Sequence, residues 1–326
     1  MPIASSHRRT FLAGCAATVA TLMGPSWAQS PPGLRKLIVG FPAGGTADSL
    51  ARALTPLLAE GGSTYVTENK SGASGQLAAD AVRQATPDGS SLLLTPSSVL
   101  TLVPQLYKKP PFEALRDFTP VACVCDHSFA FAVNGSSPIT NLASFVAWAK
   151  ANPDKATYAT PGPGSAPHFL GVTMGREIGA PLVHVPYRGV APGLQDLMGG
   201  QVVSTFNPLP TMLEYHRAGR IRILAVTSPT RLATLADVPT FTEARLPALA
   251  LVEWYGLFAS SKVPAQTASA IGADVKRAMS APEMLTAARR LEVIPRYEDG
   301  PALAKLLQHD QDRWTKLVAS TGIQLD

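Results

Sequence analysis

The run Phe41-Pro42-Ala43-Gly44-Gly45-Thr46-Ala47-Asp48 carries the residue types that bind an anion without a basic side chain. An apolar stretch, Leu37-Ile38-Val39, stops at a proline and two glycines, and an amphipathic helix pattern begins at Thr46. That is a strand, a glycine turn and a helix start. The free N–H groups and positive dipole end of such a helix attract negative charge, and glycine lets a ligand approach the main chain. Two further stretches follow the same logic. Thr160-Pro161-Gly162-Pro163-Gly164-Ser165-Ala166-Pro167-His168 leaves a short strand and opens a helix, with a hydroxyl at the expected N-cap. Tyr187-Arg188-Gly189-Val190-Ala191-Pro192 does the same after the next strand.

Single side chains within these turns have competing readings. Asp48 either meets a ligand through water or an amino group, or sits in a first helical turn because the dipole favours it. His168 is read as a ligand donor or cleft neighbour, against a helix-turn residue. Arg188 is read as structural or exposed rather than touching a ligand. Ser165 is read as a helix cap that also offers a donor. It is not read as a nucleophile, because no G-x-S-x-G elbow occurs and no order of Ser, Asp and His imposes a triad. Phe41 lines the mouth, and Tyr187 either walls the cleft or packs. There is no phosphate-loop fingerprint and no His or Cys cluster at zinc spacing, so neither a cofactor nor a metal is expected. Cys123 and Cys125 are expected on one side of a strand as small buried residues, since a bridge between them would be strained.

The elements that must position these turns alternate along the chain. Helix patterns cover 46–60, 74–84, 141–152, 165–178, 191–198, 210–218, 265–280, 282–291 and 300–321. Strand patterns cover 65–68, 91–95, 157–160, 182–186, 202–206, 221–227, 254–259 and 293–296, and the first βαβαβ run predicts parallel pairing. The apolar region 121–133 is long for one strand, so a bend or break is expected there. The last strands are too few for a third sheet. The economical organisation is two α/β lobes: 34–130 plus 226–326, and 131–225. Their helix starts would face one cleft beyond the strand ends.

The N-terminus reads as an export signal. Arg8-Arg9 precede Phe11-Leu12, small apolar residues follow, and Ser26-Trp27-Ala28 suits cleavage after Ala28. The paired arginines look like a twin-arginine (Tat) signal, with Sec export as the alternative. Leu12-Ala13-Gly14-Cys15 looks like a lipoprotein box, but it lies too close to Arg9 for an apolar core of about 7–15 residues. With the leader's two arginines removed, the formal +5 falls to a mild +3, and basic residues are scattered. A nucleic-acid surface is not expected. At 46% hydrophobic residues each lobe can bury a core, yet no later stretch reaches the roughly 18 apolar residues of a membrane span.

Over nearly the whole mature chain the sequence resembles the Bug receptors, the substrate-binding proteins of tripartite tricarboxylate transporters. The likeness runs through Phe41–Asp48 and Glu68-Asn69-Lys70-Ser71-Gly72-Ala73-Ser74-Gly75. It continues through Pro87-Asp88-Gly89, Pro104-Gln105-Leu106-Tyr107, Gly162–Ser165 with His168, and Val185-Pro186-Tyr187-Arg188-Gly189. Gly199-Gly200-Gln201-Val202 and Asp237–Glu243 complete it. The resemblance implies a type II periplasmic binding protein whose two α/β lobes close on a small carboxylate, gripped largely by backbone N–H groups and water. Carried over, it implies ligand contacts at Phe41, Ala43, Gly44, Gly45, Thr46 and Asp48, and at Gly164, Ser165, Ala166 and His168. Ser97 and Ser98 are further candidates after the third strand, with Tyr187 and Arg188 from the third turn. The chain departs from the family at Val103, where Asn is frequent, and at Arg188, where Lys is frequent. Pro161 and Pro163 stiffen the second turn and remove two donors. The expected function is a non-enzymatic periplasmic receptor, monomeric, serving membrane permease subunits or a sensor kinase. An exported hydrolase or lyase on the same scaffold and the sensing domain of a regulator are the alternatives.

Overall fold

The computed structural model describes residues 33–325. The expected leader, its cleavage after Ala28 and Cys15 lie outside the described residues. The first strand, β1 (Leu34–Val39), runs into helix α1 (Thr46–Ala59) through the Phe41–Gly45 turn. Leu50, Leu54, Leu57 and Leu58 of α1 face inward at helical spacing, which seats the helix on the sheet. Strand β2 (Thr64–Asn69), helix α2 (Gln76–Arg83) and strand β3 (Ser91–Pro96) follow. Both β2 and β3 pair with β1 in parallel. Two short helices, α3 (Ser97–Thr101) and α4 (Ala114–Asp117), lead into β4.

The region expected to bend or break is one 17-residue strand, β4 (Phe118–Asn134). It stays continuous because bulges absorb its curvature. Against β9 (Val252–Ser260) the register shifts between Pro120 and Ala122 and again between Cys123 and Cys125. An extra bulged residue breaks the two-residue alternation of side chains. Cys123 therefore packs with Phe258 and Leu303, whereas Cys125 packs with Val124 and Ile271 on another core, not on the shared side expected. Both thiols are free and buried, and burial pushes Cys123 up to about 12.

The two ends of β4 serve different partners. Its first part pairs antiparallel with β9 and with β10 (Ile294–Asp299). Its last part pairs antiparallel with β7 (Ser204–Pro208) and β8 (Ile221–Val226). Strand β5 (Thr157–Thr160) lies between β7 and β6 (Val183–Pro186), parallel to both. The main path is β2-β1-β3-β9-β4-β7-β5-β6.

Helices cover both faces. Around the second part lie α5 (Leu142–Ala151), α6 (Ala166–Glu177), α7 (Val190–Met198) and α8 (Leu213–Arg217). Helices α9 (Ala265–Met279) and α10 (Pro282–Leu291) pack beside α1. The last helix, α11 (Gly300–Thr321), touches both parts: Leu303 and Leu307 pack with Phe258, while Trp314 packs with Phe169 and Phe206. Phe241, Leu249 and Leu251, from the segment between β8 and β9, join the second of these cores. Where that segment returns, fully buried Thr227 ties three stretches together. Its Oγ1 accepts from Phe129 N at 2.9 Å and donates to Leu251 O at 2.6 Å. Its N–H and C=O pair with Phe129 O and Leu251 N. Among the described residues, no helix is long and apolar enough to cross a membrane.

Candidate functional site

Residues just past the carboxyl ends of β1, β3, β5, β6 and β7 converge on a cavity of about 280 Å³. That is the small end of ligand pockets, which run about 300–1,000 Å³. The turn after β1 supplies Phe41, Ala43, Gly44, Gly45, Thr46 and Ala47. Opposite them stand Pro161, Ser165 and Pro167 after β5, and Arg188 to Pro192 after β6. The crossing strands add Phe129, Glu253 and Tyr255.

Helix starts dominate this wall. At the N-cap of α1, Gly45 has no side chain to offer, so the first N–H groups of Thr46 and Ala47 are presented at the cavity. The Thr46 hydroxyl is buried near Tyr255 OH, without a well-aligned hydrogen bond. Gly189 leaves the start of α7 bare in the same way, above Val190 and Ala191. At α6 the expected hydroxyl cap does not form. Ser165 stands at the N-cap, but its Oγ donates back to Gly162 O at 2.7 Å. Pro167 at the second position has no N–H, and the His168 N–H bonds Ser165 O at 2.9 Å, so this helix start offers little beyond Ala166 N–H.

Several expected contacts lie away from the cavity lining. Asp48 is 3% exposed and turned into the loop. It accepts from Gly44 N at 3.0 Å, Asn69 Nδ2 at 3.0 Å and Arg52 Nε at 3.0 Å. Burial opposes its ionisation, yet these bonds outweigh burial and hold its carboxyl below the usual range. His168 plays the matching part in the second turn, accepting from Gly164 N at Nδ1, 3.1 Å away. Its ring stacks on His184 at 3.9 Å, and His184 Nε2 lies 2.7 Å from Thr160 Oγ1. Burial lowers His168 to about 4; burial, then the neighbouring His168, lowers His184 to about 3. Gly164 packs towards Leu106 and Leu325, and Ala166 is fully buried. Tyr187 donates its hydroxyl to Asp196 at 2.6 Å and faces a second chamber of about 620 Å³. Arg188 lines both chambers. Across the second chamber, Ser74 Oγ donates to Pro163 O at 2.6 Å. Ala73 and Ser74 hold φ of 47° and 52°, so this segment is bent into an unfavourable region to reach its partner.

Ser98 lines the cavity, but Ser97 does not. The backbone N–H of Ser98 is already used by a carboxylate, Glu253 Oε1, at 2.9 Å. Glu253 Oε2 comes within 3.3 Å of His127 Nε2, off hydrogen-bond alignment. Sequence reasoning missed Glu253 and Tyr255. The readable signal was a lone acid inside the apolar run Leu249–Ala259, placed outside the expected strand by one residue. Phe129, Pro208, Thr211 and Tyr215 also line the cavity without any local signal, because distant chain segments bring them there.

Comparison with known proteins agrees with this architecture. The family described as the tripartite tricarboxylate transporter family receptor, TctC, matches residues 50–323. Protein BugT of Bordetella pertussis (strain Tohama I) is 28% identical over 89% of this chain and 90% of its own length. The solved structure of periplasmic binding protein BugD superposes with a TM-score of 0.85 at 29% identity, covering 90% of this chain and 99% of that one. MatC from Rhodopseudomonas palustris, with bound malate, gives 0.83 at 29% identity over 89% of this chain and 100% of that one. With its helix starts gathered on one cavity and these matches along nearly its full described length, the chain belongs to the TctC family of solute-binding receptors.

Proposed function

We propose that the chain captures a small carboxylate by closure of two lobes and performs no chemistry on it. The observation that carries this is the convergence of helix starts without side-chain caps on one small cavity beside Arg188. Such ends stabilise an anion, and arginine can fork onto a carboxylate. MatC, which binds malate, supports the same ligand class. The lobes are 34–130 with 226–326, and 131–225. The Thr227 bonds to Phe129 and Leu251 would form the hinge, and the Ser74–Pro163 bond would hold the closed state. Ligand favours closure by its differential affinity for that state. The N-terminal signal, of Tat type and cleaved after Ala28, would deliver a monomer to the periplasm. There it would pass cargo to permease subunits or report to a sensor kinase.

A thermal-shift screen of the mature protein against mono-, di- and tricarboxylates tests this. A binding carboxylate raises Tm with concentration. Stabilisation by neutral sugars alone would sink the carboxylate reading. Conversion of the bound compound, followed by NMR, would favour a hydrolase or lyase instead.

A further inference from the structure

Among the described residues lining the cavity, Arg188 is the basic one and Glu253 the acidic one. Glu253 is 4% exposed, and its position is set from two sides. It pairs in register with His127 across the β4–β9 ladder, and its Oε1 takes the Ser98 N–H. His127 is fixed in turn between the rings of Phe129 and Tyr255, at 5.0 and 4.9 Å. A carboxylate has about four acceptor positions. Ser98 N–H occupies one of them at 2.9 Å, Ser97 Oγ reaches Oε1 only at 3.5 Å, and His127 is misaligned. Glu253 itself lines the cavity, where a ligand group would meet the capacity left over.

The α3 start thus differs from those of α1 and α7. There the backbone donors are bare; here the chain's own carboxylate already stands at the anion position. A ligand with carboxylates at both ends would set one of them against Glu253, and like charges brought together in a desolvated site repel. A donor nitrogen at that end would gain a charge-assisted hydrogen bond.

We propose that Glu253 sets the ligand class of this cavity: a small carboxylate that also carries an ammonium nitrogen. Its carboxylate lies at the α1 and α7 starts with Arg188, and its nitrogen at Glu253. This rests on the carboxylate-receptor reading above and narrows it.

Matched pairs test it by calorimetric titration: β-alanine with malonate, γ-aminobutyrate with succinate, and ε-aminohexanoate with adipate. The wild-type protein is expected to prefer the amino acid of the binding pair by about tenfold or more. Glu253→Gln keeps the shape and the acceptor for Ser98 N–H, and is expected to shrink or reverse that preference. The wild-type ranking needs no variant, so a Glu253→Gln protein that fails to fold does not rescue the proposal. Dicarboxylates binding the wild type as tightly as their amino partners would overturn it while leaving the receptor reading intact. An amino preference unchanged in a folded Glu253→Gln protein would also overturn it. Binding of none of the six would count against the receptor reading and the proposal together.

Discussion

The turns into α1 and α6 are one backbone device built twice. In each, a glycine at positive φ precedes the N-cap, Gly44 at 84° and Gly164 at 72°. In each, the N-cap N–H bonds a carbonyl three residues back, Pro42 O or Gly162 O, at 3.4 Å. In each, the glycine N–H is braced by the side chain four residues on, Asp48 or His168. The differences lie in the brace and in the donors. Asp48 is ionised and shared with Arg52 and Asn69, whereas His168 is neutral and stacked on His184. The α1 start presents Thr46 and Ala47, whereas the α6 start presents a proline ring and a hydroxyl turned inward. The same turn therefore serves the cavity on one side as a donor surface and on the other mainly as a wall.

The strongest way to break the parallel is to add a methyl group to each glycine. A Cβ on Gly164 would stand 2.5 Å from Leu106 Cδ1 and 2.8 Å from Leu325 Cδ1, whereas one on Gly44 meets nothing within 4 Å. Gly164→Ala is expected to cost about 3 kcal/mol, strain plus overlap, and Gly44→Ala about 1 kcal/mol, strain alone. Urea unfolding of both variants checks the ratio, and equal losses would contradict it. Next in size is removal of the braces. Asp48→Ala leaves Gly44 N–H without its acceptor and is expected to cost about 2 kcal/mol. Because the α1 donors face the ligand, affinity for a carboxylate found in the screen should also fall about tenfold. His168→Ala should destabilise the fold while changing that affinity less than about threefold. A similar loss of affinity in both would make the two walls equivalent.

Acid separates the braces further. His168 and His184 have folded pKa values lowered from 6.5 to about 4 and about 3. The unfolded chain then binds protons more readily, so their contribution is full above pH 6.5 and declines as pH falls towards about 4. With both groups partly screened by solvent, the loss is of the order of 2 kcal/mol. Asp48, lowered below 3.8, keeps its contribution above that pH and loses it only in stronger acid. Replacing both histidines with glutamine should flatten thermal stability between pH 6.5 and 4, and a slope as steep as wild type would refute the assignment. The smallest effect expected is from Pro167→Ala, which returns an N–H to α6. It should tighten carboxylate binding about threefold at most, measured by titration.

How much of this was legible beforehand varies by residue. The strand–turn–helix order and the three turns were readable, because hydrophobic period and glycine-proline punctuation are local properties. The shared brace was not: Asp48 and His168 stood between ligand contact and helix-turn residue, because spacing alone does not say whether a side chain points to a ligand or back to its own glycine. The cysteines were placed on one face because a bulge leaves no sequence mark. Ser97 and Ser98 could be named only as candidate contacts, because Glu253, about 155 residues away, could not be placed against them without the β4–β9 register.

By itself, the chain determined roughly where its longer helices begin and that glycines mark the turns into α1 and α7, since those follow from glycine, proline and periodicity within a few residues. Which starts face a common cavity, which donors the protein uses itself and where Glu253 stands in the cavity wall were decided only by tertiary structure. Those depend on long strand β4 passing from one set of partners to another, and on pairings between segments that no local pattern relates.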